Sequence, residues 1–420
     1  MKRLLAVFLC LALVGSMCFT ALAEDETVTI NFQTWSDEEE LFTELIRIYE
    51  EKHPNVKINM TCTPSGDSYT VKLQTVLGGG GDVDVFGLST APGLAEYVNK
   101  GAVMALDDMI AASGNDMSGI QSITDSMKID GKTYGLPYKT SSWFVIYNKD
   151  IFDAAGVEYP SGDWTWEEYY ELAAKLTSGE GDSKIYGSMN FQPTSTWWRI
   201  PANSMGATNP LNDDELHAWM KAAEFCKSLT DAGYQPLYED MSGDAGADYT
   251  GNFLQGKYAM FYNGDWVIEM LNTAIRNGDG YVNYDIAPLP HWEGEPAYTP
   301  GSSGVLMVAE GSAHPQEAYD FIAFCTGAEA ANTLLSMDYF PAWQDDSTIA
   351  AYCEGKTAPE HIEYVVNQEI ISQNPCDALY NPAQNIIKEE VSLYLLGEQD
   401  IETTEENCKT RIQEEVVNAQ

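Results

Sequence analysis

Two hydrophobic periods alternate through residues 27–88, and this alternation constrains the fold more than any other feature of the chain. In VTINFQTW, Val28, Ile30 and Phe32 fall on one side and Thr29, Asn31 and Gln33 on the other, the period-two pattern of a half-buried strand. Ser36 and Glu39 follow at the spacing of a capping box. The helix they would open carries Leu41, Phe42, Leu45, Ile46 and Tyr49 and stops at His53-Pro54. VKINM (56–60) predicts a strand, Tyr69 to Leu77 a helix, and DVDVFGL (82–88) another strand. Strand and helix in this order mean βαβ units and a mostly parallel sheet.

The same grammar returns later. TYGLPY (133–138), SWFVIYN (142–148), YVNYDIAPLP (281–290) and GVLMVA (304–309) predict strands. Thr165 boxed by Glu168 predicts a helix start, and Gln316–Cys325, 384–396 and 403–417 read as helical. Trp164 and Trp166 at that helix start, and Trp219 on a later helix, read as packing residues. The whole predicts an α/β protein of two lobes, mostly parallel sheets flanked by helices.

The chain opens on an export leader. Lys2 and Arg3 precede the apolar run Leu4–Val14, and Ala21-Leu22-Ala23 is an A-x-A cleavage site. That run is too short for a permanent membrane span. Cys18 offers a lipidation alternative, but Met17 stands where a small residue is expected, so cleavage after Ala23 is preferred. No second long apolar segment follows, and an extracytoplasmic, soluble mature chain is expected.

Charge narrows the partners. The leader holds two of the 22 basic residues and none of the 64 acids, which leaves the mature chain at −44. Nucleic acid and anionic membranes would be repelled. With so many carboxylates, chance pairs are common and do not by themselves imply acid–base chemistry. Six cysteines remain after the leader, without a CxxC; Cys226 and Cys325 read as buried thiols and Cys353 with Cys376 as a possible bridge.

Reactive motifs fail one by one. The glycines of GGGGDVDVF (78–86) lack the Lys-Ser/Thr of a phosphate loop. Asp82-Val83-Asp84 begins like a calcium loop, yet its twelfth position is Gly93. The five histidines are scattered, and neither HExxH nor GxSxG occurs. No cofactor, metal or catalytic residue is expected.

Aromatics where strands end remain: Trp35, Trp143, Trp197-Trp198, and Trp266 in FYNGDW. Ligands of open α/β sheets lie beyond the carboxyl ends of strands. An indole plate rimmed by Asp, Asn and Ser suits a sugar's apolar C–H face and hydroxyl edge. Burying about 100 Å² by stacking contributes roughly 2.5 kcal/mol.

Seven stretches in order complete a resemblance: TINFQTWSDEEE with FTELIRIYEEKHPNVKI, KLQTVLGGGGDVDVF, GKTYGLPY to FVIYNKDIFDAAGV, TWEEYYELAAKL, FLQGKYAMFYNGDW, YDIAPLP, and SSGVLMVAEGSAHPQEAYDFIAF. The chain resembles the extracellular solute-binding proteins of ABC importers, in the carbohydrate-binding group that includes maltose-binding protein. The resemblance implies a two-lobed periplasmic-binding-protein fold (class II) closing by hinge motion on a sugar or short oligosaccharide. It implies a monomer, no catalysis, and delivery to ABC permease transmembrane subunits. Lobe 1 would be 24–139 with 303–345 and lobe 2 would be 140–302 with 346–420, after a leader at 1–23. Hinge segments would lie near 138–143, 298–304 and 343–355.

Position by position, Trp35-Ser36-Asp37 matches a turn that hydrogen-bonds sugar hydroxyls, and Ser89 and Thr90 match the loop after the third strand. Ser141, beside Tyr138 and Trp143, matches a crossing segment where maltose-binding protein has an acid. Trp197 or Trp198 fits an aromatic loop, and Trp266, with Asn263 and Asp265 in its turn, matches the family's stacking tryptophan. Ser302 and Ser303 belong to the second crossing. Gln384, beside Tyr380 and Asn381, stands where the family has another aromatic, a departure that argues against a long maltodextrin.

Two other functions stay open at this point. A secreted glycoside hydrolase would need two carboxylates about 5–10 Å apart, which Asp37 and Asp265 could supply across a cleft. The same fold could instead take a polyamine or cationic peptide; an aromatic box lined by several carboxylates would favour that.

Overall fold

The computed structural model describes residues 27–89, 91–190, 197–241, 248–354, 358–366 and 370–419. The leader with Cys18 and Ala23, and Thr90, lie outside the described residues. Nine strands occur among them: β1 (Val28–Trp35), β2 (Val56–Thr63), β3 (Val85–Leu88), β4 (Leu136–Asn148), β5 (Tyr186–Met189), β6 (Tyr258–Gly264), β7 (Tyr284–Ala287), β8 (Thr299–Val308) and β9 (Ile370–Ser372). Their order is β2-β1-β3-β8-β4-β6-β5, with β7 on β4 and β9 on β8.

The expected βαβ start is present. β1 pairs in parallel with β2 from Val28↔Val56 to Trp35↔Thr63, and with β3 on its other side. The sheet as a whole is mixed rather than mostly parallel, because β8 runs antiparallel to β3 and β4, and β4 antiparallel to β6 and β7. β4 is one continuous strand across the interval read as a break between 138 and 142. Its first half pairs with β8, to Ser142↔Gly301, and its second half pairs with β6 and β7, from Trp143↔Gly264. A single strand therefore ties two α/β halves together.

Each half has its own cores. Ile30 and Phe32 of β1 bury against Leu41, Phe42 and Leu45 of the helix Glu39–Lys52 and against Phe321. The opposite face buries Trp35, Tyr69, Phe86 and Tyr97. In the second half of β4, Phe144 and Ile146 face one cluster with Phe261 and Val267, while Trp143, Val145 and Tyr147 face another with Trp166 and Tyr169. Both faces of this strand are covered, so its sequence is apolar throughout rather than alternating. Removing one such anchor, Phe144→Ala for example, costs about 3–5 kcal/mol. The last helices, Tyr380–Leu395 and Ile401–Arg411, pack on Asp213–Asp231 around Trp198, Trp219 and Cys408.

Local signals fared differently at the two boxed helices. Thr165 and Glu168 form the reciprocal cap, Glu168 N–H donating to the Thr165 hydroxyl at 3.2 Å. Ser36 makes no side-chain cap; a 3-10 turn, Ser36–Glu38, intervenes, and Glu38 turns inward. Trp164, Trp166 and Trp219 are buried as read. So are Cys226 and Cys325, but Cys353 and Cys376 carry no bridge; all six described cysteines are thiols.

Candidate functional site

A cleft of about 780 Å³ opens where β4 passes from one half to the other. This lies in the range of small-molecule sites. One wall begins at the end of β1. Trp35 lies edge-on to Tyr69, ring centres 5.5 Å apart, and Tyr69 is fixed by donating to the Gly87 carbonyl at 2.7 Å. Gly87 lets the indole lie on β3: a Cβ there would stand 3.1 Å from the Trp35 ring. Asp37 and Ser89 complete this side at exposed positions.

The facing wall is a chain of edge-to-face rings. Trp143 meets Trp266 at 5.3 Å and 90° and Trp197 at 5.7 Å and 81°, and Trp197 meets Tyr249 at 5.2 Å. Such pairs are a favoured ring geometry and hold the plates rigid. The Trp143 indole N–H donates to Gln373 Oε1 at 2.6 Å, tying β4 to the segment after β9. Trp266 is the first residue of the helix Trp266–Asn277 and folds back over Gly264, where any Cβ would overlap its ring. The glycine of NGDW is needed for that close approach.

The floor is polar. The hydroxyls of Ser141 and Ser302 lie 2.8 Å apart across β4 and β8. Glu38, 2% exposed, accepts from Tyr138 Oη–H and from the Lys139 ammonium. Asp265, also buried, is held by its backbone N–H donating to the Ser142 carbonyl at 3.1 Å. Burial pushes its carboxyl up to about 7, against the pull of Lys139 and nearby backbone N–H groups.

Of the candidate residues, Trp35, Asp37, Ser89, Ser141, Trp143, Trp197, Asp265, Trp266, Ser302 and Asn381 line this cleft. Ser36 is exposed and outside its lining. Tyr138 lies in the core under Glu38, and Trp198 packs edge-on against Trp219 at 6.0 Å. Asn263 is fully buried and accepts from its neighbour's N–H at Gly264 (2.9 Å). Tyr380 is buried too, holding Asn374 at 2.7 Å and the Arg199 guanidinium. Arg199 is itself buried, and burial brings it down to about 9. Gln384 is outside the lining, and Ser303 borders a second cavity of about 330 Å³ behind the crossing strands.

The lining also includes Glu38, Tyr69, Lys139, Tyr249, Glu269 and Gln373, which the pattern reading did not single out. Lys139 follows from the strand's alternation, which puts Leu136 and Tyr138 in the core and Lys139, Ser141 and Trp143 at the cleft. The unread signal for Tyr249 is its place just ahead of FLQGK; Gln373 lies in a loop with no local pattern.

Residues 34–332 match the family model of the bacterial extracellular solute-binding proteins. The chain belongs to that family. Its members are substrate-binding proteins of transporters and not enzymes, so the Asp37/Asp265 hydrolase alternative falls. An arabinooligosaccharide-binding protein of Bacillus subtilis is 23% identical over 358 residues, 80% of this chain and 79% of that one. An sn-glycerol-3-phosphate-binding periplasmic protein of Rhizobium meliloti is 27% identical over 300 residues, 66% of each. Among solved structures, an ABC substrate-binding protein of Listeria monocytogenes in complex with cycloalternan is 25% identical with a TM-score of 0.80, covering 92% of this chain and 98% of that one. A sugar transporter from Rhizobium etli in an open conformation is 26% identical with a TM-score of 0.77, covering 92% and 99%. The fold is thus the two-lobed one of periplasmic binding proteins, and the family is extracytoplasmic. Among the described residues no helix is long and apolar enough to cross a membrane.

Proposed function

We propose that this solute-binding protein takes a sugar or short oligosaccharide in the cleft and presents it, unchanged, to the transmembrane subunits of an ABC permease. The observation that carries the reading is the convergence of Trp35, Trp143, Trp197 and Trp266 on one cavity whose floor is Ser141, Ser302, Asp265 and Gln373. Rigid apolar plates with acceptor-rich edges suit a polyhydroxylated ring, and relatives that bind arabinooligosaccharide and cycloalternan support the class. Residues 24–139 with 303–345 and 140–302 with 346–420 act as the lobes, hinged where β4, β8 and residues 343–355 cross, in an exported monomer released after Ala23.

A second reading keeps the fold and replaces the sugar by a polyamine or cationic peptide, favoured by six carboxylates among the aromatics of the cleft. A thermal-shift panel of the mature protein with mono-, di- and oligosaccharides and spermidine separates them. A ligand at a hundred times its Kd adds about 2.7 kcal/mol and raises Tm by a few degrees. A salt-resistant shift with one sugar class, the sugar recovered intact, is the expected result. A shift with spermidine alone, abolished by salt, would replace it.

A further inference from the structure

The cavity of about 330 Å³ behind the crossing strands differs in kind from the cleft. Asp37, Glu38, Asp265 and Glu269 line the cleft, whereas the described lining of the second cavity has hydroxyls and amides and no carboxylate. Ser122 and Ser126 come from the helix Gln121–Ser126 of the first half, Ser303 from β8, and Gln373 and Asn374 from the segment after β9. The acids that adjoin this lining in sequence are engaged elsewhere. Asp125 pairs with Lys128 at 2.7 Å, and Asp345 accepts from Trp343, Ser347 and Thr348. In a chain with 64 acids against 22 bases, such a wall stands apart.

Two amides of this wall have their orientation dictated by their neighbours. A guanidinium and an indole can only donate, so the amide atom each one meets is the oxygen. Arg199 donates to Asn374 Oδ1 at 2.7 Å, Tyr380 Oη–H donates to the same atom at 2.7 Å, and the Trp143 indole donates to Gln373 Oε1 at 2.6 Å. Each oxygen is thereby taken and each NH2 group is left over. Among the described residues neither Asn374 Nδ2 nor Gln373 Nε2 has a hydrogen-bond partner, although Asn374 is only 6% exposed. Behind Asn374 stands a buried cation. Arg199 lies over the rings of Trp219 at 4.8 Å and Tyr380 at 5.7 Å, its Nε has no partner, and among the described residues no carboxylate pairs with it. A buried charge without an opposite charge is costly, and its field is little screened.

We propose that this cavity is a second binding site, for a small tetrahedral oxyanion of the phosphate class, held by the amide N–H groups of Asn374 and Gln373 and by the serine hydroxyls, with Arg199 supplying the opposite charge through Asn374. The site is separate from the cleft and independent of what the cleft takes. An oxyanion is rich in acceptors and uses the donors that the protein leaves over, and no carboxylate of the described lining repels it. A cation would meet no charged acceptor here, and a neutral sugar would leave Arg199 uncompensated. Because Ser122 and Ser126 belong to the first half, while Asn374 is bound to Arg199 and Tyr380 of the second, an anion held by both ties the two halves together.

The test is isothermal titration of the mature protein, without sugar, with sodium phosphate and sodium sulfate at neutral pH, the ionic strength being held constant with sodium chloride. Saturable one-to-one binding of at least one of the two oxyanions is expected. Asn374→Asp is nearly isosteric, keeps an acceptor for Arg199 and Tyr380 and puts a carboxylate oxygen where the free NH2 group stood. It should lose about tenfold or more in affinity without a fall in melting temperature. Ser303→Asp places a carboxylate in the lining away from Arg199, should lose affinity likewise, and decides the matter if Asn374→Asp does not fold. Trp266→Ala, in the cleft, should bind the oxyanion as the unmodified protein does. Absence of saturable binding of both oxyanions overturns the proposal, as does unchanged affinity in the two aspartate variants. Binding lost in Trp266→Ala but kept in those variants places the anion in the cleft and overturns it too.

Discussion

Two turns face each other across the cleft, and each puts a tryptophan and a buried acid at the junction of a strand and a helix. In Trp35-Ser36-Asp37-Glu38 the acid is satisfied: Glu38 holds Tyr138 and Lys139. In Asn263-Gly264-Asp265-Trp266 the acid accepts from backbone N–H groups, among the described residues no side-chain donor reaches it, and burial pushes its carboxyl up to about 7. The first turn spends its carboxylate on joining β1's turn to the crossing strand. The second leaves its carboxylate to backbone N–H groups at the edge of the cleft. The two turns thus differ in what holds their buried acids: side chains from the crossing strand in the first, backbone in the second.

The largest test of this contrast is a pair of substitutions with opposite signs. Glu38→Gln leaves Lys139 without its partner in a mostly buried site, and loss of about 3–5 kcal/mol is expected in denaturant unfolding. Asp265→Asn should stabilise the unliganded protein above pH 7. The folded pKa is raised to about 7 while the unfolded chain's is near 3.8, so the unfolded state binds fewer protons between these values. Stability therefore falls as pH rises from about 4 to about 7, by on the order of 4 kcal/mol. The variant should flatten that slope; an unchanged slope would mean that Asp265 is not the titrating group.

The glycines under the two plates give a smaller, graded comparison. Gly264→Ala must displace the Trp266 ring, and loss of most of the indole's roughly 2.5 kcal/mol of contact is expected in saccharide affinity. Gly87→Ala meets Trp35 at 3.1 Å, which a small tilt relieves, and a loss below about 1 kcal/mol is expected. Equal effects would mean that the two plates are equally mobile. Smallest is the cap comparison: Thr165→Ala should cost about 1 kcal/mol of stability and Ser36→Ala less than 0.5, since only Thr165 caps its helix.

What sequence pattern made legible divides along the same line. The βαβ start, the Thr165 box and the buried tryptophans at 164, 166 and 219 follow from period and local hydrogen bonding, which neighbouring residues determine. Ser36 and Glu39 have the same box spacing, yet a tertiary demand, Glu38 reaching Tyr138 a hundred residues away, overrides it. Trp197 and Trp198 could not be told apart in a loop; packing on Trp219 takes the second and leaves the first to the cleft. Tyr138 faces the core with Leu136 and Lys139 faces the cleft, because successive side chains of a strand take opposite sides. Long-range carboxylate partners leave no periodic trace, and the floor of the cleft is built on one.

The most direct test of the central claim, that one saccharide spans both turns, is a fluorescence titration of the mature protein, Trp35→Ala, Trp266→Ala and the double variant with the same neutral oligosaccharide. The expected result is a loss of about tenfold or more in each single variant, with the double variant losing less than the product of the two, as plates gripping one ligand are coupled. Unchanged affinity in either single variant would contradict the claim and leave the sugar, if it binds, to one wall of the cleft.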